Sequence, residues 1–442
     1  MKIIKKIQYR NPYSIILLSF LLFLIIGSIL LYLPISQKKP TDFIDCLFIA
    51  TSAFTVTGLA SIDITQNFNY VGLTVIMFLI QMGGLGIVTL AIVVFMMLGK
   101  KVGFKNRFLV AEALNQGSFG GIIKLVKYLF FISISIELLG AIILACEWVP
   151  DLGVKKGLYN SIFTAVSAFN NAGFALHSDN LIPYQTNPIV NFVITSLIIL
   201  GGLGFTVMID VTKKKSFKSW KVQTKVMVIT TFIVNVLATV ILFLLEHNNL
   251  KTIGQFSTFD QWQMSYFQAI TTRTAGFNTI DIGSLNNDSI LVMMLLMFIG
   301  GGSTSTAGGI KLTTMVIILF GTLSFIRQQD EIVIFKRAID IKYLIRSFAI
   351  VVLSFIMIFI ITFFLVLVEP DKQFIALFFE VVSAFGTVGL TLGITTKLSV
   401  IGKLLVILMM MIGKIGVLTI VLTFSRPRKQ LYYHPKEDIL VG

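Results

Sequence analysis

Long apolar runs alternate along the chain with shorter, half-polar segments, and the order recurs four times. The first run of each group is long enough to cross a bilayer, which takes about 20 helical residues; these runs are 13–33, 125–146, 225–247 and 345–368. Shorter segments follow at 42–54, 157–169, 260–271 and 372–384, and further long runs at 71–98, 188–211, 289–325 and 399–424. Apolar segments too short to span are often re-entrant.

This order predicts an all-α polytopic membrane protein with four pseudo-symmetric repeats. Each repeat would consist of an outer helix, a re-entrant helix and an inner helix, which gives eight membrane spans. The predicted repeats are 13–98, 125–211, 225–325 and 345–424, and a cytoplasmic tail follows at 425–442.

A motif of small residues with one glycine ends each short segment. The four glycines are separated by 115, 103 and 113 residues, and they are Gly58, Gly173, Gly276 and Gly389. A second glycine cluster follows in each inner run, beginning at Gly83, Gly201, Gly300 and Gly413. Two motifs in register over four repeats are a strong signal of internal repetition. For the clusters that begin at Gly83 and Gly201, close helix packing and a role in a pore remain equally open.

Four glycine loops at membrane depth favour a single central pore. Backbone that is not helical survives there only when it lines water or is buried in protein. A ring of backbone carbonyls can replace the hydration shell of a cation, and glycine permits the positive φ that turns a carbonyl inward. The predicted ion-binding filter consists of Thr55, Val56, Thr57, Gly58, Asn171, Ala172, Gly173, Thr274, Ala275, Gly276, Thr387, Val388 and Gly389.

The third inner run contains a glycine- and hydroxyl-rich stretch that should break its helix. Each glycine costs up to about 1 kcal/mol in a helix interior, and a broken helix at membrane depth lines a cavity or is buried. We expect a flexible gating loop below the filter; the alternative is a linker on the cytoplasmic side. The predicted gate residues are Gly300, Gly301, Gly302, Ser303, Thr304, Ser305, Thr306, Gly308 and Gly309, together with Lys414.

Three charged residues interrupt the apolar pattern. Lys414 lies in the fourth inner run, where a charge costs roughly 2.5–3.5 kcal/mol on insertion scales, so it should face the bundle interior unless it snorkels to the interface. Glu137 in the second outer run is a weaker case of the same kind. Arg273 lies inside the third filter motif, and we expect it to tie down that loop.

Composition excludes a soluble enzyme. The chain is 56% hydrophobic and only 13% charged, against about 25% charged in soluble domains. Of its 36 Lys and Arg residues, 25 lie in the predicted cytoplasmic segments, which places both termini in the cytoplasm by the positive-inside rule. No nucleic-acid-reading module and no Gly-rich nucleotide fingerprint is present, so we expect no organic cofactor in this chain.

The motifs resemble those of the Trk/Ktr/HKT superfamily of cation transporters, and most closely the bacterial Ktr membrane subunits. The resemblance rests on Ser167–Phe174, on Thr272–Phe277 and on the stretch Gly300–Gly309. It implies a homodimer in the bacterial inner membrane with one pore per subunit, potassium as the transported ion, and a cytosolic ring of nucleotide-binding regulatory subunits. Lys414 stands where the family often has arginine. The sequence leaves open whether sodium activates transport.

Three other functions were weighed against a pore. A secondary transporter with alternating access usually shows two repeats rather than four. A non-conducting receptor or scaffold is distinguished by failure to rescue a potassium-uptake-deficient cell. An intramembrane enzyme lacks a nucleophile and a base at sensible spacing. Basic cytoplasmic residues either follow topology alone or dock the regulatory ring; they are Lys100, Lys101, Lys105, Arg107, Lys213, Lys214, Lys215, Lys218, Lys221, Arg426, Arg428 and Lys429.

Overall fold

The computed structural model describes residues 12–86, 122–214 and 216–424 and the single positions 435 and 437. The end of the first predicted inner run, 87–98, and nearly all of the predicted tail lie outside these residues. So do the candidate docking residues before 122, at 215 and after 424.

The described residues are mostly helical. In chain order the helices are α1 Pro12–Tyr32, α2 Phe43–Thr55, α3 Ile64–Asn67, α4 Tyr70–Leu85, α5 Ile122–Leu152, α6 Val154–Phe169, α7 Pro188–Leu203, α8 Phe205–Lys213, α9 Val222–Glu246, α10 Thr258–Thr271, α11 Asn287–Phe298, α12 Leu312–Ile326, α13 Ile341–Val368, α14 Phe374–Gly386, α15 Val400–Ile415 and α16 Val417–Phe424. The strands are β1 Ile332–Ile334 and β2 Arg337–Ile339.

Three helices among the described residues are long and apolar enough to cross a membrane. They are α9, α13 and the part of α5 from Val126 to Leu152. Large apolar side chains on α13 point outward; Phe359, for example, is 73% exposed. Such a surface suits hydrocarbon rather than water.

Short helices lie where the sequence pattern predicts re-entrant segments. These are α2, α6, α10 and α14, and their C-terminal residues are buried. Each contributes to a hydrophobic core that also includes residues of a neighbouring group; Phe163 of α6, for instance, lies in the core built mainly by α1, α2 and α4. The C-terminal parts of the four short helices therefore lie inside the protein, whereas side chains near their N-terminal ends, such as Phe259 and Phe374, are exposed.

The second and fourth inner runs differ from the single helices expected. The run 188–211 is divided between α7 and α8, which meet at an angle of 94°, and the run 399–424 is divided between α15 and α16. The breaks occur at Gly204 and Gly416, with φ of +101° and +89°. Glycine tolerates this conformation. At the first break, the 300–309 stretch accepts the freed amide of Phe205 through the carbonyl of Thr304, at 2.9 Å.

A β-hairpin departs from the all-α prediction. Strands β1 and β2 pair antiparallel, and Ile332 and Ile334 pack against α9 and α12. The two-residue turn between the strands has positive φ at both Phe335 and Lys336. Turns of this kind usually carry Asn-Gly or Asp-Gly, so the sequence offered no hairpin signal.

Candidate functional site

The four glycine loops share one backbone conformation. In each loop the residue two positions before the glycine is left-handed, with φ of +59° at Val56, +59° at Asn171, +63° at Thr274 and +50° at Thr387. The glycines follow with φ of +93° at Gly58, +70° at Gly173, +76° at Gly276 and +95° at Gly389. A β-branched residue in this region is strained. Strain of that kind persists only where the surrounding structure imposes it.

Hydrogen bonds back to the short helices help to hold these loops. The amides of Thr57, Ala172 and Val388 donate to the carbonyls of Ser52, Ser167 and Ser383 at 2.7–2.9 Å. In the third loop, the amide of Ala275 donates to the carbonyl of Thr271 at 3.0 Å. These amides bond to the short helices, whereas the carbonyl groups of the same residues point away from the helices and do not take part in those hydrogen bonds.

The four loops close into a ring in chain order. A Cβ added at Gly58 would lie 2.6 Å from the carbonyl oxygen of Ala172, and one added at Gly173 would lie 2.7 Å from that of Ala275. An added Cβ at Gly276 would meet the carbonyl of Val388, and one at Gly389 would meet that of Thr57. Each glycine thus lies against the carbonyl of the next loop, and the fourth loop returns to the first.

The carbonyls of this ring have no internal partner. Among the described residues, none of the carbonyl oxygens of Thr57, Ala172, Ala275 and Val388 accepts a hydrogen bond. Backbone carbonyls need a partner, whether protein, water or ion. The short helices also direct their C-terminal ends, which carry partial negative charge, into the loops. The ring is therefore an uncharged, electronegative site that suits a cation.

The inner glycine clusters pack against the ends of the short helices. Added Cβ atoms at Gly83, Gly201 and Gly413 would collide with the carbonyls of Phe54, Phe169 and Phe385 respectively. In the third inner run, Gly300 lies instead against Gly308 of its own loop. Of the two interpretations left open by the sequence, close packing accounts for Gly83 and Gly201.

The 300–309 loop lies between the second inner break and the fourth glycine loop. The amides of Gly302 and Thr306 donate to the carbonyls of Gly202 and Gly201, at 2.8 and 3.4 Å. At the other side, an added Cβ at Gly308 would collide with the side chain of Thr387. Thr306, Ala307 and Gly308 are buried. The predicted gate residues therefore lie together, next to the ring.

Hydroxyl groups link this loop to neighbouring helices. Ser303 and Thr313 share a hydrogen bond of 3.1 Å between their side-chain oxygens. Thr304 and Thr206 share another of the same length. Within the loop, the Ser305 hydroxyl donates to the carbonyl of Gly302 at 2.7 Å and accepts the amide of Ala307 at 3.2 Å.

Two lysines hold the loop through consecutive carbonyls. Lys414 donates from Nζ to the carbonyl of Thr306 at 2.6 Å, and Lys311 donates to that of Ala307 at 2.7 Å. Lys414 therefore faces the protein interior, the first of the two alternatives for this residue. The pattern did not identify Lys311, although its position directly after the glycine stretch could have.

The two other charged residues are also buried. Arg273 donates from Nη1 to the carbonyl of Ile299 at 3.3 Å, where α11 ends. Glu137 accepts two hydrogen bonds from the side-chain amide of Gln81, at 3.0 and 3.2 Å, and one from Asn170, at 3.1 Å. Arg273 therefore ties the third glycine loop to the break of the third inner helix, whereas Glu137 joins α5 to α4 and to the second loop.

Sequence reasoning missed an ion pair that joins the beginning and the end of the described chain. Lys403 of α15 donates to Asp45 of α2 at 2.6 Å, and both side chains are nearly buried. Ser61 donates to the same carboxylate at 2.6 Å. Each of these charges lies in a largely apolar run, which was the available signal. The sequence did not indicate that Asp45 and Lys403, 358 positions apart, form a pair.

Known proteins similar to this chain identify its family. The family model described as TrkH, cation transport protein, matches residues 2–432. The chain is 48% identical over 441 residues to the Ktr system potassium uptake protein B of Bacillus subtilis, covering 100% of this chain and 99% of that protein. It is 40% identical to the protein of the same name from Vibrio alginolyticus, covering 97% and 94%.

A solved structure shares the fold. The potassium transporter TrkH from Vibrio parahaemolyticus aligns with a TM-score of 0.76 and 19% identity, covering 94% of this chain and 86% of that one. The sequence and family matches together show a multi-pass membrane protein that transports cations and is not an enzyme. The chain belongs to the TrkH family of cation transport proteins.

Proposed function

We propose that the protein takes up potassium ions across the bacterial inner membrane through a channel-like pore. The four repeats surround the pore in eight spans, and the four glycine loops form the selectivity filter. The observation that carries this proposal is the closed ring in which each filter glycine lies against the carbonyl that precedes the next one. The names of the relatives, potassium uptake proteins, support potassium as the substrate.

The chemistry of the ring suits a weakly held monovalent cation. Neutral carbonyl oxygens replace water around the ion without the strong charge that would trap it. A side chain in place of any filter glycine would meet a neighbouring carbonyl. Potassium then enters down its electrochemical gradient, which supplies about 2.3 kcal/mol per charge for each 100 mV, and the protein needs no other energy source.

The 300–309 loop serves as the gate. It runs from the second inner break to Thr387 of the fourth filter loop, and Lys311 and Lys414 hold two of its carbonyls. With these contacts the loop blocks the path beneath the filter; movement of the loop opens it.

The working assembly is a homodimer controlled by a cytosolic ring of nucleotide-binding subunits. The relatives' names place them in a Ktr system, and this supports a partner of that kind. Both termini are cytoplasmic, and the basic cytoplasmic loops dock the ring. Sodium is a candidate activator.

Rubidium flux into liposomes tests the proposal, with and without sodium and with and without a cytosolic partner. A conductance large enough to be recorded as single-channel steps would indicate a pore. Slow turnover without such steps would instead indicate alternating access. Growth rescue of a potassium-uptake-deficient cell distinguishes both from a receptor, which would rescue nothing.

Deletion within the loop tests the gate separately. Removing several residues of 300–309 should raise flux and reduce its dependence on the partner. A folded deletion variant with unaltered, partner-dependent flux would overturn the gate assignment and leave the filter untouched.

A further inference from the structure

A cavity of about 720 Å³ opens beside the 300–309 loop, away from the glycine ring. It lies among the first turns of α9, α12 and α13 and the β-hairpin, and Ser303 and Thr304 of the loop form part of its wall. Small-molecule sites typically measure about 300–1,000 Å³. Its apolar lining comes from Val222, Val226, Val316, Ile317, Ile339 and Ile350.

The charged residues that line the cavity are predominantly positive. Lys311 and Arg346 both line it, and Asp340 contributes the carboxylate. That carboxylate is already engaged: it pairs with Lys342 at 2.7 Å and accepts the amide of the same residue at 3.0 Å. The two cations of the lining are therefore without a matching anion on the wall.

Helix α12 begins at this cavity with an unusual cap. Lys311 occupies its N-cap, and no side chain caps the first turn. The N-terminal end of a helix carries partial positive charge, so a lysine there is unfavourable and an anion is favoured. In contrast, carboxylates serve the other two helices: Asp340 caps α13, and Asp210 accepts the amide of Lys221 at the start of α9.

Two hydroxyl residues of the lining have no partner. Thr314 is 8% exposed and Ser347 is 4% exposed, both line the cavity, and neither hydroxyl makes a hydrogen bond to any residue that the structure describes. Neither hydroxyl oxygen is fully enclosed, which is consistent with the place of both residues in the cavity lining. These two are placed to donate to oxygen atoms of a bound molecule.

We propose that this cavity binds a phosphate-bearing anion. Lys311, Arg346, Thr314 and Ser347 hold the phosphate oxygens, and the apolar wall contacts the rest of the molecule. Charge-assisted hydrogen bonds from lysine and arginine are the usual means of holding phosphate. The phosphate group belongs either to a soluble molecule or to a lipid headgroup.

Occupation of the cavity weakens the hold on the loop. The ammonium of Lys311 donates to the carbonyl of Ala307 at 2.7 Å, and a phosphate in the cavity competes for it. The ligand would then favour the open gate. This consequence rests on the proposed function, whereas binding itself does not.

Thermal unfolding of the full-length protein in detergent tests binding directly. Tm is measured against inorganic phosphate, with chloride at matched ionic strength as reference. For the lipid source, Tm is measured in phosphatidylcholine vesicles with and without phosphatidic acid. A ligand that binds the folded state raises Tm saturably. We expect this rise in one arm, and that arm identifies the source.

Two substitutions decide whether the cavity is responsible. Arg346→Gln should raise the half-saturating concentration about tenfold, as expected for one charge-assisted hydrogen bond, and Ser347→Ala should raise it less. Arg337→Gln removes the same charge from the adjoining β-hairpin, but Arg337 is exposed and does not line the cavity, so this variant should match the unaltered protein. No saturable rise in either arm, or an equal rise in Arg346→Gln, would overturn the proposal. Rubidium flux then tests the gating consequence separately.

Discussion

The Nζ atom of Lys414 lies 2.6 Å from the backbone carbonyl oxygen of Thr306 and donates a hydrogen bond to it. The next carbonyl, that of Ala307, accepts from Lys311. Two half-buried lysines thus bind adjacent peptide units of a loop rich in glycine. Such a loop has little regular structure of its own, so these two contacts add to the hydrogen bonds that Gly302, Ser303, Thr304 and Thr306 make with neighbouring segments.

Replacement of Lys414 should therefore release the loop. A hydrogen bond to a charged group contributes about 1.5–3 kcal/mol, so Lys414→Met should raise rubidium flux at least about tenfold when flux is limited by the gate. Methionine keeps the length of the side chain. Lys397→Gln, at an exposed position of the same repeat, should leave flux unchanged. Equal flux in Lys414→Met and the unaltered protein would contradict a gating role.

Gly58→Ser should lower the ratio of potassium to sodium permeation. The new Cβ would lie 2.6 Å from the carbonyl oxygen of Ala172 and must displace it from the ring. The ratio is measured from reversal potentials or from competition of sodium with rubidium flux. Gly393→Ser is a matched control, because Gly393 has a similar φ of +83° but nothing within 4 Å of the added atom. An equal loss of selectivity in both variants would show backbone strain to be the cause.

Breaking the pair between Asp45 and Lys403 should destabilise the protein. Their side chains are 10% and 12% exposed, and loss of one partner from a buried pair costs about 3–5 kcal/mol. The free energy of unfolding of Lys403→Met should fall accordingly in a denaturant titration. Lys342→Met breaks the exposed pair with Asp340 and should leave the free energy of unfolding nearly unchanged, because exposed ion pairs contribute little. Similar losses in the two variants would exclude a special role for the buried pair.

Stability should decrease as the pH falls below about 6.5, the ordinary pKa of histidine. Burial lowers the pKa of His177, and the nearby charge of Lys156 lowers it further. Its Nε2 accepts from Asn160 at 2.9 Å, a contact that protonation breaks. The pKa of His177 is lower in the folded state than in the unfolded state. The stability that the neutral ring contributes is therefore fully present above about pH 6.5, and it is lost as the pH falls from about 6.5 through the folded pKa. Tm against pH is the measurement.

Two substitutions check the assignment to His177. His177→Gln should reduce the loss of Tm between neutral and mildly acidic pH. His247→Gln leaves the contacts of His177 intact and should retain the loss. A pH profile of Tm that is the same in His177→Gln and the unaltered protein would place the titrating group elsewhere.

The positions of the short helices could be predicted because their signal is local. A motif of small residues with a glycine predicts the end of a helix. The helices α2, α6, α10 and α14 each end within this motif. The break at Gly204 could not be predicted in this way. One glycine costs a helix only about 1 kcal/mol, and the break is completed by Thr304, 100 residues away, which accepts the amide of Phe205.

Repetition predicted the filter residues, and a helix-breaking stretch in the third inner run predicted the gate loop, whereas the hydrogen-bond partners of these residues could not be predicted. Lys414 was identified because a charge in an apolar run needs an explanation. Its acceptor is a backbone carbonyl, however, and every residue carries one, so no side-chain pattern identifies it. The acceptor of Lys311 is likewise a backbone carbonyl. The pairing of Asp45 with Lys403 depends on closure of the ring, which brings the first and fourth glycine loops together.

Mechanical stiffness is distributed unevenly around the ring. At Gly83, Gly201 and Gly413 there is no room for even one methyl group between the inner helix and the carbonyls of Phe54, Phe169 and Phe385, so three quarters of the ring are braced backbone to backbone. In the remaining quarter, Gly300 lies against Gly308, and the loop is its own brace. The part of the ring next to the 300–309 loop is therefore the easiest to deform. When the inner helices shift, we expect this loop to move before the other three contacts do.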